Sequence, residues 1–343
     1  MHAGFVDVGA CWVCGGSALA RIHDAVLDLD VYRDQHPELA RYTGETVWFR
    51  RCASCGFTQP ERLPSLAGFF DRLYDQFWSP DWVQQEFESE YKDLIFRTIL
   101  AGLARRQTAG PSTALRAGPS TALRAGPSTA LRAGPSTPLR AGRRLLDIGA
   151  HAGRFMHLAR LAGWEPEGIE LNPRTAAFAA TKTGLPVHSV NVDQLVLAGR
   201  SYGAVTLIDV LEHVPHPLAL LSKIHDALEP GGWAVIKVPS GPAQRLKENM
   251  RARLRNGYRP RLADNLVHVN HFSPASLQKA LQRAGLGNVW IGVGPPELPP
   301  ARGGLAITSN IARRMLYRAA WIVPGGVHTP LALNLLAYAR RSP

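Results

Sequence analysis

The cysteines of this 343-residue chain fall in two C-x-x-C pairs, each followed by glycine: Cys11 with Cys14, and Cys52 with Cys55. In such a knuckle the chain turns tightly enough for two thiolates to face one ion, and two knuckles complete a closed tetrahedral set. A closed set keeps no open position for water, so we predict that these four residues bind structural zinc. A redox pair, which would need a low-pKa thiolate in a thioredoxin-like setting, and a chance pairing are the lesser alternatives.

A turn that contains glycine follows a buried apolar segment in the middle of the chain. Asp147 comes just before the turn, and Gly149 and Gly153 are separated by three residues. A dinucleotide fingerprint requires G-x-G-x-x-G, so this spacing argues against NAD. Glycine still permits close approach of the backbone, and an aspartate suits an ammonium or hydroxyl better than an anion. Glu170, which ends the next predicted strand, can accept hydrogen bonds from both hydroxyls of a ribose.

Three histidines are candidates for proton transfer. His213 follows the predicted fourth strand, and His268 and His271 come just before a helix with a capped start. A histidine titrates near neutral pH and can accept the proton that a hydroxyl loses during nucleophilic attack. The alternative for each is a histidine that only hydrogen-bonds a loop backbone.

Alternating strands and helices must position these side chains. The apolar pattern predicts helices at 153–162, 173–183 and 217–228, and buried strands at 144–148, 167–170, 187–190, 204–209 and 233–238. Such alternation implies right-handed crossovers and a doubly wound parallel sheet. Ligands of these sheets bind beyond the carboxyl ends of the strands. The glycine turn and Glu170 are expected at that edge.

Three segments occur in order at consistent spacing: D-I-G-x-x-x-G from Asp147, D-V-L-E-H-V from Asp209 and L-E-P-G-G from Leu228. Together they resemble the class I S-adenosylmethionine-dependent methyltransferases, and the resemblance runs from about residue 144 to residue 293. It implies an α/β fold with a doubly wound, mostly parallel seven-stranded sheet. It also implies S-adenosylmethionine as cofactor and methyl transfer as the activity.

The same resemblance implies roles for single residues. The backbone at Gly149 and Gly153 would cradle the methionine portion of the cofactor, Asp147 would orient its amino group, and Glu170 would bind the ribose. Two residues after the third strand, Asn191 and Asp193, are candidates for the adenine, and Asp193 is favoured. The predicted cofactor set is Asp147, Gly149, Gly153, Glu170, Asp193 and Asp209.

The acceptor is suggested by two further resemblances. The stretch from His268 to Leu277 is similar to the H-x-x-x-F-S-x-x-x-L segment of many small-molecule methyltransferases, which favours His268 as base or substrate contact, with His213 and His271 as further catalytic candidates. The cysteine arrangement, followed by an aromatic stretch at 74–78, resembles methyltransferases of bacterial sugar, polysaccharide and secondary-metabolite pathways. A hydroxyl of a small molecule or saccharide is therefore the expected acceptor.

The chain divides into four predicted regions. Residues 1–68 form a small zinc-binding domain, and 69–108 form a helical lead-in. Residues 109–142 hold tandem copies of the octapeptide A-G-P-S-T-A-L-R, whose proline and glycine forbid a continuous helix, so disorder is expected there. Residues 143–343 form the methyltransferase domain, and its tail is predicted to end in a helix and then a strand at 333–339.

The net charge of +12 raises alternatives to a small acceptor. A basic chain with a zinc module could methylate RNA or protein, but aromatic residues do not cluster among the basic residues of the active-site segments, so nucleic acid is not favoured. A non-catalytic protein that binds the cofactor or zinc is the second alternative. Contact of the basic, apolar tail with a membrane surface is a lesser possibility. The chain shows neither a signal peptide nor a membrane-spanning apolar run, so a cytoplasmic protein is expected.

Overall fold

The computed structural model describes residues 4–343 apart from 76–78, 109–142, 192–193, 198, 255–263 and 301–302. The prediction of a disordered octapeptide repeat therefore concerns residues outside the described ones. The same is true of Asp193, which was favoured for adenine, and of Phe77 and Trp78 in the aromatic stretch.

The N-terminal module is built from two small antiparallel sheets and one short helix. Its elements are β1 (Phe5–Asp7), β2 (Leu19–Val26), α1 (Pro37–Ala40), β3 (Thr46–Cys52), β4 (Thr58–Pro60) and β5 (Arg62–Pro64). Strand β3 pairs with β2 and β4, and β1 pairs with β5. The buried side chains of Val13, Phe49 and Phe57 belong to the same apolar core as the large sheet of the chain. The module therefore packs directly onto the rest of the protein.

Three helices follow the module and lie against the large sheet domain: α2 (Phe69–Asp75), α3 (Pro80–Glu88) and α4 (Asp93–Thr108). Ser79 begins α3, since its side chain accepts a hydrogen bond from the amide of Trp82 and Pro80 occupies the first turn. In α4 the side chains of Ile95, Ile99 and Leu103 are buried along one face. This spacing of four residues places them together against the sheet, as helical periodicity requires.

A sheet of seven strands forms the centre of the described part of the chain. In spatial order its strands are β8 (Val187–Ser189), β7 (Trp164–Glu170), β6 (Arg143–Ile148), β9 (Tyr202–Ile208), β10 (Leu228–Pro239), β12 (Asn334–Arg340) and β11 (Gly287–Gly294). The first five are parallel neighbours, and β12 pairs antiparallel with β10 and β11. The predicted α/β class, with a doubly wound and mostly parallel seven-stranded sheet, is confirmed.

Helices connect these strands and pack against them: α5 (Arg154–Leu161), α6 (Pro173–Thr183), α7 (Pro217–Ala227), α8 (Gly241–Leu254), α9 (Pro274–Arg283) and α10 (Gly304–Ile322). Asn172 caps α6, and Gly184 ends it in the left-handed conformation. Ser273 and Ser276 form a reciprocal capping box at the start of α9. These local signals explain why the helix limits read from the sequence agree with the structure.

Two elements of the sheet domain, β11 and α8, were not predicted. Strand β11 is only partly buried along most of its length, so it lacks the continuous apolar run of the central strands. Helix α8 carries both polar and large apolar side chains on its exposed side, so it lacks the usual division into a polar and an apolar face. Strand β10 also begins earlier than predicted, because Leu228 already pairs with Tyr202 and the register then shifts before Trp233. None of the described helices combines the length and the apolar character needed to cross a bilayer.

A bidentate ion pair fastens the lead-in to the sheet domain. The guanidinium of Arg154, at the start of α5, donates to both carboxylate oxygens of Asp93 at 2.9 Å. The side chains of Asp93 and Arg154 are only 9% and 17% exposed. Removing one partner of an ion pair this well shielded from water strongly lowers the stability of the fold, because the remaining charge stays buried without its partner.

We therefore expect Asp93→Ala to lower the free energy of unfolding by about 3 to 5 kcal/mol, measured by urea denaturation. Glu90→Ala is the matched control, since Glu90 lies 3.8 Å from the same guanidinium but is 74% exposed. That change should cost less than about 1 kcal/mol. Equal losses for the two variants would contradict a structural role for the Asp93 pair.

Candidate functional site

A cavity of about 660 Å³ lies at the carboxyl ends of β6, β7 and β9. The sheet supplies one wall, through the loops that follow these three strands. The lead-in supplies the other wall, including Tyr74, Trp82, Tyr91 and Lys92. The cavity thus occupies the position that ligands take in doubly wound sheets.

The turn after β6 approaches the cavity with its backbone. Gly149 and Gly153 have φ angles of 79° and 83°, in the left-handed region that favours glycine. A Cβ on Gly149 would lie 2.3 Å from a methyl carbon of Val210, and one on Gly153 would lie 2.9 Å from a methyl carbon of Thr183. Side chains are therefore excluded at both positions, as the predicted cradle requires.

Glu170, at the end of β7, holds this turn and faces the cavity. Its carboxylate accepts hydrogen bonds from the backbone amides of His151, at 2.9 Å, and Asn172, at 3.1 Å. Burial raises the pKa of Glu170 above its usual value, and the backbone amides act in the opposite direction. One amide contacts each carboxylate oxygen, which leaves lone pairs on both oxygens for a diol.

Asp147 is buried below the glycine turn, where its carboxylate accepts a hydrogen bond from the hydroxyl of Thr206 at 2.7 Å. Burial raises the pKa of Asp147 to about 7. A cationic group bound in the cavity would offset that penalty and favour the charged carboxylate. The position is compatible with the predicted contact to an ammonium.

The loop after β8 contributes Asn191, the second adenine candidate. Asn191 lines the cavity, and its side-chain amide donates to the carboxylate of Asp71 in α2 at 2.5 Å. The favoured residue, Asp193, lies outside the described part of the chain. The structure therefore brings Asn191 to the cavity and leaves the choice between the two residues a prediction.

The loop after β9 brings a buried ion cluster around Asp209 to the cavity wall. The carboxylate of Asp209 contacts Lys237 of β10 and lies 3.3 Å from the ammonium of Lys92. Burial would raise the pKa of Asp209, but the charges of the two lysines outweigh it and hold the pKa at about 2. Glu297 lies 3.4 Å from Lys237 and completes the cluster. Asp209 was predicted to bind the cofactor, and the structure places it on the cavity wall with Lys92, while Lys237 contacts it from β10.

His213 lines the cavity beside this cluster. Its Nδ1 lies 2.6 Å from the carbonyl oxygen of Val267 and 3.0 Å from the hydroxyl of Tyr74. The Tyr74 hydroxyl itself donates to the same carbonyl. A carbonyl only accepts hydrogen bonds, so Nδ1 of His213 carries the proton and Nε2 keeps a lone pair. Burial lowers the pKa of His213, which favours the neutral ring.

Two further groups adjoin His213. The ring of His268 packs edge-on against it, with the ring centres 4.7 Å apart, and burial lowers the pKa of His268 to about 3. One carboxylate oxygen of Glu212 is buried without a hydrogen-bond partner in the described structure, and burial raises the pKa of Glu212 to about 8. Donor atoms of Glu212, His213 and His268 lie within 4.8 Å of one another. Two histidines and a carboxylate are a donor set that could hold a divalent metal.

His271, the third candidate histidine, does not reach the cavity. It is buried between the module and the sheet domain, where its ring contacts Phe49 and its Nδ1 lies 3.0 Å from the side-chain oxygen of Gln244. Its backbone amide donates to the carbonyl of Thr58 in β4. The structure therefore does not bring His271 to the cavity beside His213, and its catalytic role stays a prediction from the sequence.

The four cysteines converge as predicted. The sulfur of Cys11 lies 3.6 Å from that of Cys55, and the sulfur of Cys14 lies 3.4 Å from that of Cys52. A tetrahedron with zinc–sulfur bonds of about 2.3 Å has edges of about 3.8 Å, close to these separations. Each knuckle is closed by a glycine of positive φ, Gly15 or Gly56. The donor set fits a structural zinc ion.

Several functional residues were not identified from the sequence. Tyr74, Trp82 and Lys92 come from the lead-in, where helical periodicity predicted helices but not which side chains would cover the cavity. The ring of Trp82 packs edge-on against His151 in the glycine turn, with ring centres 4.9 Å apart. Lys237 lies within an apolar strand, and a lysine at such a position is the signal that could have revealed it, because buried lysines require a partner.

Comparison with known proteins agrees with this geometry. Residues 123–290 match a family model described as a methyltransferase domain. A ubiquinone biosynthesis O-methyltransferase of Paraburkholderia xenovorans is 31% identical over 97 residues, which are 26% of this chain and 42% of that protein. Its counterpart in Dinoroseobacter shibae is 36% identical over 94 residues, 26% of this chain and 38% of that protein. The chain thus spans about two fifths of the length of these relatives.

A solved structure shows the same fold over more of the chain. It is a complex between the Haloferax volcanii Trm112 methyltransferase activator and a methyltransferase, and the match covers 81% of this chain and 100% of the other. The TM-score is 0.50 and the identity is 15%. At that identity the likeness concerns the fold alone.

Glu170→Gln should weaken binding of S-adenosylhomocysteine by about 10-fold to 100-fold, because a charge-assisted hydrogen bond contributes about 1.5 to 3 kcal/mol. Isothermal titration calorimetry measures the affinity, and a thermal melt checks that the fold is retained. Glu165→Gln is the matched control, since Glu165 is an exposed residue of the same strand. Unchanged affinity in Glu170→Gln would exclude the ribose assignment.

One zinc ion per chain should be found by elemental analysis of the purified protein, and Cys52→Ser should lose it, because a serine hydroxyl is a poor substitute for a thiolate. Ser54→Ala, a change inside the same knuckle, should keep full occupancy. Zinc retained by Cys52→Ser would remove the assignment. Loss of zinc from both variants would indicate a disturbed knuckle instead of a lost ligand.

Proposed function

We propose that this chain, whose residues 123–290 match a family model of a methyltransferase domain, is an S-adenosylmethionine-dependent methyltransferase that transfers a methyl group to a hydroxyl of a small molecule or saccharide. The observation that carries the proposal is the 2.6 Å contact between Nδ1 of His213 and the carbonyl oxygen of Val267. Nδ1 of His213 is committed to this carbonyl, so its Nε2 can accept a proton at the cavity. A neutral imidazole is the group that a hydroxyl acceptor needs.

Two parts of the cavity wall would have different roles. The glycine turn and Glu170 would hold the cofactor, and the wall at Tyr74, Asp209 and His213 would hold the acceptor. S-Adenosylmethionine, when bound, supplies a methyl group on a sulfonium, which is already a good leaving group. Catalysis by the protein then consists mainly of aligning the acceptor oxygen with the methyl carbon and removing the hydroxyl proton.

We assign proton removal to His213. We assign to His268 the role of holding the His213 ring in place. His268 was favoured from the sequence, but among the three candidate histidines it is His213 that lines the cavity. The edge-on ring of His268 limits the movement of the His213 ring, and Tyr74 fixes it from the other side. As the acceptor oxygen forms its bond to the methyl carbon, its proton passes to Nε2 of His213.

The electrostatics of the cavity favour a small acceptor over a nucleic acid. Its described cationic side chains are already paired: Lys92 with Asp209, and Arg154 with Asp93. Charges neutralised in this way do not attract phosphates. The volume of about 660 Å³ falls in the range of small-molecule sites, which is about 300 to 1,000 Å³. The curated relatives are named as O-methyltransferases, which also supports a hydroxyl acceptor.

Turnover of a hydroxyl acceptor should fall by about 100-fold to 10,000-fold in His213→Ala, the usual contribution of a general base, while affinity for S-adenosylhomocysteine changes little. His268→Ala should show a smaller loss, since its ring acts through His213. The assay follows labelled methyl transfer from the donor to a panel of alcohols, phenols and sugars.

His188→Ala serves as the control, because His188 is half exposed and lies on β8. A loss below about tenfold in His213→Ala with a confirmed hydroxyl acceptor would exclude His213 as the base. If turnover fell more in His268→Ala than in His213→Ala, His268 would be the general base instead of His213. Cofactor binding without turnover on any acceptor class would favour a non-catalytic binding protein.

A further inference from the structure

Helix α10 presents an apolar and basic stripe to its surroundings. Its inner face includes Tyr317 and Ala320, which are buried against the sheet domain. The opposite face carries residues that recur every three or four positions: Ile307, Ile311, Arg314, Met315, Arg318 and Ile322. The four large apolar side chains among them are 49% to 80% exposed. Isolated exposed apolar residues are common, but a continuous stripe along five turns needs a partner.

Helix α8 repeats this arrangement. Leu246, Met250 and Leu254 recur every fourth residue and are 43% to 79% exposed. Arg253 lies on the same side of the helix as these three residues. Lys247 and Arg251 lie beside this apolar stripe. The one acidic residue of α8, Glu248, is buried and pairs with Arg251 at 3.0 Å, which leaves Lys247 and Arg253 as the outward charges of this helix.

Basic side chains of the two helices lie near one another. The charge of Arg313 in α10 contributes to lowering the pKa of Lys247 in α8, whose main cause is burial. No aspartate or glutamate occurs in the sequence from residue 298 to residue 343, which contains six arginines. Exposed apolar side chains and cationic ones therefore alternate on this side of the protein without acidic neighbours from α10.

We propose that the outward stripe of α10, together with that of α8, docks on an anionic membrane surface. An amphipathic helix binds such a surface by burying its apolar side chains at the headgroup boundary while its arginines contact lipid phosphates. The α10 stripe has both components on one face. Its interleaved Arg314 and Arg318 match a layer of negative headgroups, which is the charge complementarity that selects this occupant.

Other occupants fit less well. In a twofold contact between two copies, Arg314 and Arg318 of one copy would face those of the other, and like charges in contact are unfavourable. A nucleic acid would engage the arginines through its phosphates but leave Ile307, Ile311 and Met315 exposed to water. A bilayer interface accommodates both kinds of side chain at once.

The proposed surface is connected to the cavity by short contacts. From α10, Arg313 donates to the carbonyl of Glu297 at 3.3 Å and Asn310 donates to that of Pro299 at 2.8 Å. Glu297 belongs to the ion cluster around Asp209, a residue that lines the cavity. Docking would therefore bring this wall of the cavity close to the membrane.

The test is flotation of the full chain with vesicles of phosphatidylcholine alone and with vesicles that contain equal amounts of phosphatidylcholine and phosphatidylglycerol. Binding is expected on the second kind only and should weaken as salt is added. Ile311→Gln with Met315→Gln should reduce binding by about tenfold or more. Arg314→Gln with Arg318→Gln should reduce it by about fivefold for each arginine. The pair Met250→Gln and Leu254→Gln should also weaken binding.

Leu161→Gln is the matched control, because Leu161 is equally exposed at 67% but lies at the end of α5. Its binding should equal that of the unchanged chain, and all variants should keep their melting temperatures. Equal flotation with both kinds of vesicle, or binding unchanged by the α10 substitutions, would overturn the proposal. A dimer in solution that dissociates in Ile311→Gln with Met315→Gln would overturn it in favour of a contact between copies.

Discussion

The buried charge of Asp209 connects the parts of this protein that meet at the cavity. Asp209 directly follows β9, Lys237 contacts it from β10, and Lys92 contacts it from the position before α4. Each charge loses its hydration on burial, at a cost of several kcal/mol, and only its partners offset that cost. If the lead-in moved away, Lys237 would keep its partner but Asp209 would lose half of its neutralisation. Asp209 also has a φ of 58°, a left-handed conformation that the surrounding contacts hold in place.

The cavity is consequently a joint product of the sheet and the lead-in. The sheet contributes the backbone of the glycine turn to one wall of the cavity, because this backbone can approach a ligand more closely than side chains can. The lead-in contributes side chains that close the other wall, such as Trp82 against His151. The Arg154–Asp93 pair fixes these two parts at the start of α5, directly after Gly153. The site thus depends on an interface as much as on the strands.

The N-terminal module acts on the site through the histidine segment. Thr58 and His271 exchange two backbone hydrogen bonds, and the rings of Phe57 and Phe272 pack together with centres 5.0 Å apart. The hydroxyl of Ser273 lies 3.5 Å from the carbonyl of Cys55. The second cysteine knuckle therefore holds the segment that also carries His268. A zinc ion bound by the four cysteines would thus support catalysis by holding this segment in place, without contacting any reactant.

The sequence by itself determined what depends on local spacing. The order of strands and helices, the glycine turn, Glu170 and the two cysteine knuckles follow from periodicity and from the conformations that glycine and proline permit. Helix caps such as Asn172 and Ser273 belong to the same category, since they act within three residues. These features needed no knowledge of what packs against them.

Tertiary structure decided the rest, because it depends on contacts between residues far apart in the chain. It selected His213 for the cavity and turned His271 into an interior contact of the module, although both are histidines next to predicted elements. It paired Lys237 with Asp209 across two strands and brought Lys92 to them from more than a hundred residues earlier in the chain. It left the apolar stripe of α10 exposed where periodicity alone shows only an amphipathic helix. Burial and pairing energies arise only when distant segments meet, so no local pattern encodes them.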